Sequence, residues 1–167
     1  MRYVLFDLGD TLESNGVLRA GALEAVAAIA AMRDDRGQPP KLGLISDFHE
    51  APAPSAVPAI VAEYRLLLGT LGLEPLFQPF EQTVTLSTTV GVRKPDKRIF
   101  RAALDKFDPA APFRDAIFIT ENTVHVRAAH RLGMQAVHLR GPDQQDGAIR
   151  SFPDLVRHVE NLLRPTG

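Results

Sequence analysis

Short apolar runs alternate with segments of helical periodicity along the whole chain. Tyr3-Val4-Leu5-Phe6 carries no charged residue and predicts a buried strand over 3–7. From Ala20 to Met32 the apolar positions Leu23, Val26, Ala27 and Ala30 fall on one helical face. Asp34 to Pro40 ends in two prolines, which stop the helix before a second strand at 42–45. The proline- and alanine-rich stretch from Asp47 to Pro58 reads as a loop, and Val57 to Leu71 as a helix ending at Gly72. A short strand fits Gln82 to Leu86, and a helix fits Pro95 to Phe107, with Pro95 near the first turn where a missing N–H costs little. Strand 116–120, a helix over 123–132 closed by Gly133, strand 135–139 and a helix from Phe152 to Leu163 complete the series. Strands joined by crossover helices pair in parallel with right-handed connections. The pattern therefore predicts an α/β protein, a three-layer αβα doubly wound parallel sheet, as one domain over 1–167.

Composition narrows the possible chemistry. The 167 residues suffice for a core without staples, and 45% are hydrophobic, as in a soluble globular protein. No apolar stretch approaches the roughly 20 residues that cross a bilayer, and the N-terminus has no basic segment followed by a long apolar one, so a cytoplasmic protein away from membranes is expected. There is no cysteine, which excludes disulfides, thiolate catalysis and the usual structural zinc sites. Nineteen basic against twenty acidic residues, with no basic run, give nucleic-acid binding no electrostatic support.

Candidate chemistry gathers where strands end. The first strand delivers Asp7 into the turn Asp7-Leu8-Gly9-Asp10-Thr11-Leu12, and ligand chemistry in such folds sits at the carboxyl ends of strands. Lys41-Leu42-Gly43-Leu44-Ile45 runs into Ser46. Gly91-Val92-Arg93 precedes Lys94-Pro95-Asp96, and Ala116-Ile117-Phe118-Ile119 runs into Thr120-Glu121-Asn122. In this order, aspartate, hydroxyl, lysine and acid, the set resembles the haloacid dehalogenase-like (HAD) hydrolase superfamily over nearly the whole chain. The resemblance implies a Rossmann-like core and a phosphohydrolase that cleaves a phosphate monoester. Asp7 would attack phosphorus to form an aspartyl-phosphate, Ser46 would bond a phosphoryl oxygen, and Lys94 would neutralise charge and keep Asp7 ionised. Backbone N–H groups after Asp7 would complete a phosphate cradle. Mg²⁺ would take Asp7, the Gly9 carbonyl and Glu121 as oxygen ligands. Ser46 lies 39 positions after Asp7 and Lys94 a further 48 on, which leaves no room for a large cap domain. The site is thus expected to be open, and to be covered by a phosphorylated macromolecule or, around a small phosphate ester, by an oligomer partner.

Two departures open a rival reading. The family opening is Asp-x-Asp-Gly-Thr, whereas here the second aspartate and the glycine are exchanged, so the general acid/base candidate Asp10 lies three residues after Asp7 rather than two. At the last station Thr120-Glu121 stands where the family carries an acidic pair or Gly-Asp. Both changes suit a catalytically impaired HAD-like domain that binds a phosphorylated ligand or a protein partner. A haloacid dehalogenase ranks third, because those relatives bury their substrate under a helical cap. Asp10-Thr11 also reads as plain turn chemistry, and Glu121 as an acid of a first helical turn. His49, close after Ser46, could reach an open site. His125 and His130, five apart on one helix, lack the spacing of a zinc pair.

Overall fold

In this computed structural model, residues 2–142 and 149–164 are described; the expected single domain of 1–167 also includes Met1, 143–148 and 165–167, which lie outside the described residues. Strand β1 (Tyr3–Phe6) is buried along its whole length, and its side chains alternate between two cores. Val4 and Phe6 enter one core; Tyr3 and Leu5 enter the other. A strand apolar on both faces belongs at the centre of a covered parallel sheet. Indeed β1 lies between β4 (Lys41–Ser46) and β6 (Ala116–Thr120), with β5 (Val84–Leu86) and β7 (Gln135–His138) outside them, in the order β5-β4-β1-β6-β7. Every pairing in this sheet is parallel.

Helices cover both faces. On the Val4 and Phe6 side are α1 (Ala22–Ala31), α2 (Val57–Thr70) and α7 (Phe152–Leu163), which contribute Ile29, Tyr64, Leu68, Leu155 and Val159. Three shorter helices follow in the connections: α3 (Phe80–Thr83) and α4 (Ser87–Val90) flank β5, and α5 (Lys97–Asp105) precedes β6. On the Tyr3 and Leu5 side, α5 buries Ile99, Phe100 and Leu104 and α6 (Thr123–Arg131) buries Ala129. The fold is the predicted αβα doubly wound sheet.

Local departures from the expected elements have identifiable causes. A two-stranded hairpin, β2 (Glu13–Ser14) and β3 (Val17–Leu18), follows Asp7 and turns at Asn15-Gly16, both at positive φ (53° and 76°). That pair of conformations is the two-residue hairpin turn that Asn-Gly favours. Helix α5 begins at Lys97, not at Pro95, because Asp96 is its N-cap and accepts from the Arg98 amide at 2.9 Å. The segment expected to be strand from Gln82 begins as the helical turn α3, so β5 is only three residues long. No helix among the described residues is long and apolar enough to cross a membrane.

Candidate active site

β1 ends at Phe6, and the next amide, Asp7 N–H, still donates to Ile119 O at 2.9 Å, so Asp7 sits at the carboxyl edge of the central strand. Its carboxylate is buried. Oδ1 accepts from Lys94 Nζ at 2.6 Å and from the Leu8 amide at 2.9 Å, while Oδ2 accepts from Thr120 Oγ1 at 3.0 Å. The Lys94 ammonium also donates to Ile45 O at 2.8 Å, and the Lys94 amide to Asp47 Oδ1 at 2.9 Å, which fixes the lysine across the edge of β4. Burial works against an ionised Asp7, but the Lys94 charge and the His125 ring beside it outweigh burial and hold the carboxyl below its ordinary range.

Ser46 is the last residue of β4. Its buried hydroxyl shares a 2.5 Å hydrogen bond with the Tyr64 hydroxyl of α2. Burial pushes the Tyr64 phenol well above its ordinary value, so it stays protonated next to Ser46. Glu121 follows β6, and its Oε2 accepts from Thr11 Oγ1 at 2.5 Å while lying 3.3 Å from Thr120 Oγ1. Thr120 Oγ1 therefore stands between an Asp7 oxygen and a Glu121 oxygen, and its single proton serves one of them at a time.

The turn after Asp7 is fastened from within. The amides of Thr11, Leu12 and Glu13 all donate to Leu8 O, and the Leu8 amide is committed to Asp7 itself. Four of the turn's N–H groups, those of Leu8, Thr11, Leu12 and Glu13, are thus bonded within the turn. Arg19 Nη1 clamps the carbonyls of Asp10 and Thr11 at 2.9 and 2.7 Å. Asp10 is exposed, has φ 52°, and its Oδ1 accepts from Ser14 Oγ at 2.9 Å. The exchange of aspartate and glycine thus puts an acid where the chain must turn left-handed, a conformation that aspartate tolerates.

Asp7, Gly9, Asp10, Ser46, Lys94 and Glu121, the six residues singled out in the sequence, all line one cleft of about 260 Å³. His49 does not join them; it is exposed and pairs with Glu63 at 3.3 Å. Sequence reasoning missed His125, which lines the same cleft with Nδ1 3.5 Å from Asp7 Oδ2 and without a hydrogen-bond partner. The signal was its place three residues after Asn122, the N-cap of α6, whose Oδ1 accepts from the His125 amide at 3.3 Å. In that first turn His125 faces the cleft whereas its neighbour Val124 is exposed. Tyr64 was also missed, although its i+4 partner Leu68 marks the inward face of α2.

The lining holds five carboxylates, Asp7, Asp10, Glu13, Asp47 and Glu121, against one ammonium, Lys94. A phosphate dianion cannot settle there without a further cation. Hard oxygen donors suit Mg²⁺, and Asp7 and Glu121 already reach toward one point, the Thr120 hydroxyl, so the donor set fits the ion. Among the described residues no group of three His, Cys, Asp or Glu side chains is gathered to hold a metal.

No family model and no curated protein matches this sequence. Solved structures do. The chain is similar to an uncharacterised protein from Corynebacterium glutamicum, with TM-score 0.57, 22% identity and coverage of 98% of this chain and 95% of the other. It is also similar to the core domain of a Streptococcus pneumoniae protein assigned as a phosphoglycolate phosphatase, with TM-score 0.58, 21% identity and 95% coverage of each chain. A HAD-superfamily hydrolase of subfamily IA from Geobacter sulfurreducens matches with TM-score 0.53 and 19% identity over 87% of this chain. This chain spans 56% of the length of that hydrolase, and the same share of an L-2-haloacid dehalogenase. The fold is that of the HAD-superfamily hydrolases.

Proposed function

We propose that this chain is a HAD-type phosphohydrolase that cleaves a phosphate monoester through an aspartyl-phosphate on Asp7. The observation that carries the reading is the ionised Asp7 at the end of β1, clamped through Oδ1 by Lys94 at 2.6 Å in a cleft that Ser46 also lines. With Oδ1 held by Lys94 and the Leu8 amide, Oδ2, which carries only the Thr120 hydroxyl, is the oxygen that attacks phosphorus as the bond to the leaving oxygen breaks, and Lys94 stabilises negative charge beside it. Ser46, its oxygen set by Tyr64, donates to a phosphoryl oxygen. Asp7, the Gly9 carbonyl and Glu121 are the groups that would hold Mg²⁺, which supplies positive charge for the equatorial oxygens. The lining opposes the haloacid reading, because five carboxylates make a poor bed for a small apolar carboxylate substrate.

One observation favours the second reading, a domain that holds a phosphorylated ligand without rapid turnover. The Asp10 carboxylate is engaged by Ser14, so the acid that should protonate the leaving group is tied into the turn. Calorimetric titration of Mg²⁺, with and without beryllofluoride as an aspartyl-phosphate mimic, separates the two. The enzyme reading expects metal binding that tightens with the mimic and vanishes in Asp7→Asn. No binding under either condition ends that reading and directs attention to ligands and partners.

A further inference from the structure

A cavity of about 510 Å³ lies at the opposite end of the sheet, where β4 and β5 begin. Its volume is within the range of small-molecule sites. Its wall carries two ammonium groups, Lys41 and Lys106, two carboxamides, Gln78 and Gln82, and no carboxylate. Leu76 and Phe107 give it apolar surface.

Lys106 is the anchor of the argument. It is half-buried at the end of α5, and its ammonium donates to the Val84 carbonyl. Among the described residues no carboxylate pairs with it. Glu81, the acid whose charge reaches it, is already bound to Arg65 Nη2 at 3.1 Å. An ammonium has three donors, so a partly desolvated one with a single carbonyl acceptor favours any anion that can enter. Lys41 stands at the first residue of β4 on the same wall, with its ammonium 5.9 Å from the Tyr3 ring rather than on an acid.

We propose that this cavity is a second binding site, independent of the Asp7 cleft, for a small organic anion with a carboxylate or phosphate head and an apolar body. The head lies against Lys106 and Lys41 with the Gln82 carboxamide as a further donor, since Gln78 Nε2 is bonded to Glu74, and the body lies against Leu76 and Phe107. Charge-assisted hydrogen bonds to a partly desolvated ammonium supply affinity, and the apolar wall selects against bare inorganic ions.

The test is a two-dimensional amide NMR titration of the whole chain with benzoate and, separately, with inorganic phosphate. Expected are saturable benzoate shifts at the amides of Thr83, Val84, Lys106 and Phe107, with phosphate binding more weakly. Lys106→Met, which keeps the aliphatic stem, should weaken benzoate by about tenfold, a loss typical of a charged hydrogen bond. Lys106→Arg should restore most of it and guards against a mere folding defect, while Asp7→Asn should leave it unchanged. Absent or non-saturable shifts, shifts centred on Asp7, Ser46 and Lys94, or an affinity indifferent to Lys106→Met would each overturn the proposal.

Discussion

At the carboxyl ends of β1, β4 and β6, five acids share a cleft with one lysine, whereas at the amino ends of β4 and β5 two lysines share a cavity with no acid. The difference lies also in how far each charge is satisfied. Asp7 has a partner on each oxygen, and Thr11, Thr120 and Ser14 occupy Glu121 and Asp10. Lys106, in contrast, holds one carbonyl. A parallel sheet makes such contrast easy to build, because all strands present the same end to the same side and the loops at each end evolve separately. The first end is organised around a group held ready to react, the second around a charge left ready to be met.

The largest effect expected is at Asp7. Asp7→Asn keeps the shape and the acceptor toward Lys94 but removes the nucleophilic charge. Magnesium-dependent hydrolysis of p-nitrophenyl phosphate should fall by about 10⁴-fold or more. A variant that retains wild-type turnover would show that the hydrolysis belongs to another group.

Next comes the ion pair itself. Lys94→Met leaves a buried carboxylate without its cation and should cost about 3–5 kcal/mol in urea unfolding; adding Asp7→Asn should recover a large part of the loss. If the double variant is no more stable than Lys94→Met, the pair is not what the lysine contributes. The same pair predicts an acid limb. The folded-state value of Asp7 lies below its unfolded value of about 3.9, so its stabilisation is complete above that value and is lost as pH falls through the lower folded one. Urea midpoints should therefore drop more steeply in the wild type than in Asp7→Asn as pH falls below about 4.

Most of the fold, and the cleft as a place, was legible in the sequence, because both follow from local patterns. Five apolar runs became five strands, and Asp7, Ser46 and Glu121 converge because each follows or closes a strand end, while Lys94 comes in from the segment between α4 and α5. What was not legible depends on partners distant in sequence. Tyr64 and Ser46 are 18 residues apart, His125 reaches Asp7 across 118, and the commitment of Leu8's amide is a matter of turn geometry. The hairpin after Asp7 was readable from Asn15-Gly16, but strands of two residues carry too little pattern to be seen by periodicity. Pro95 misled because proline marks helix starts in general, and here Asp96 provides the stronger cap.

The strand that joins the two ends offers a third break. A Cβ on Gly43 would lie 2.9 Å from Leu5 Cδ2, 3.1 Å from Thr83 O and 3.2 Å from Phe107 Cε2, and one of these is backbone. Gly43→Ala should destabilise by about 1–3 kcal/mol, the usual cost of overpacking. Because Thr83 and Phe107 also line the basic cavity, it should weaken benzoate binding while leaving kcat unchanged, which separates the two ends within one strand. Equal losses at both would mean that the ends are coupled through β4.

The smallest effect expected is at Asp10, and it decides how the acidic end works. Asparagine tolerates the left-handed φ of 52° and keeps an acceptor for Ser14 Oγ, so Asp10→Asn preserves the turn and removes only the ionisable group. A general acid/base contributes about 10²–10⁴-fold, so its loss could not be missed. With the carboxylate bound to Ser14, kcat should fall by less than about tenfold and KM should hold, leaving a slow hydrolase whose acid is supplied by water or by the substrate. A fall of 10²-fold or more in kcat, with the basic limb of the pH profile abolished, would mean that Asp10 leaves Ser14 during turnover. The exchanged Gly9-Asp10 would then be a rearranged motif rather than a lost one.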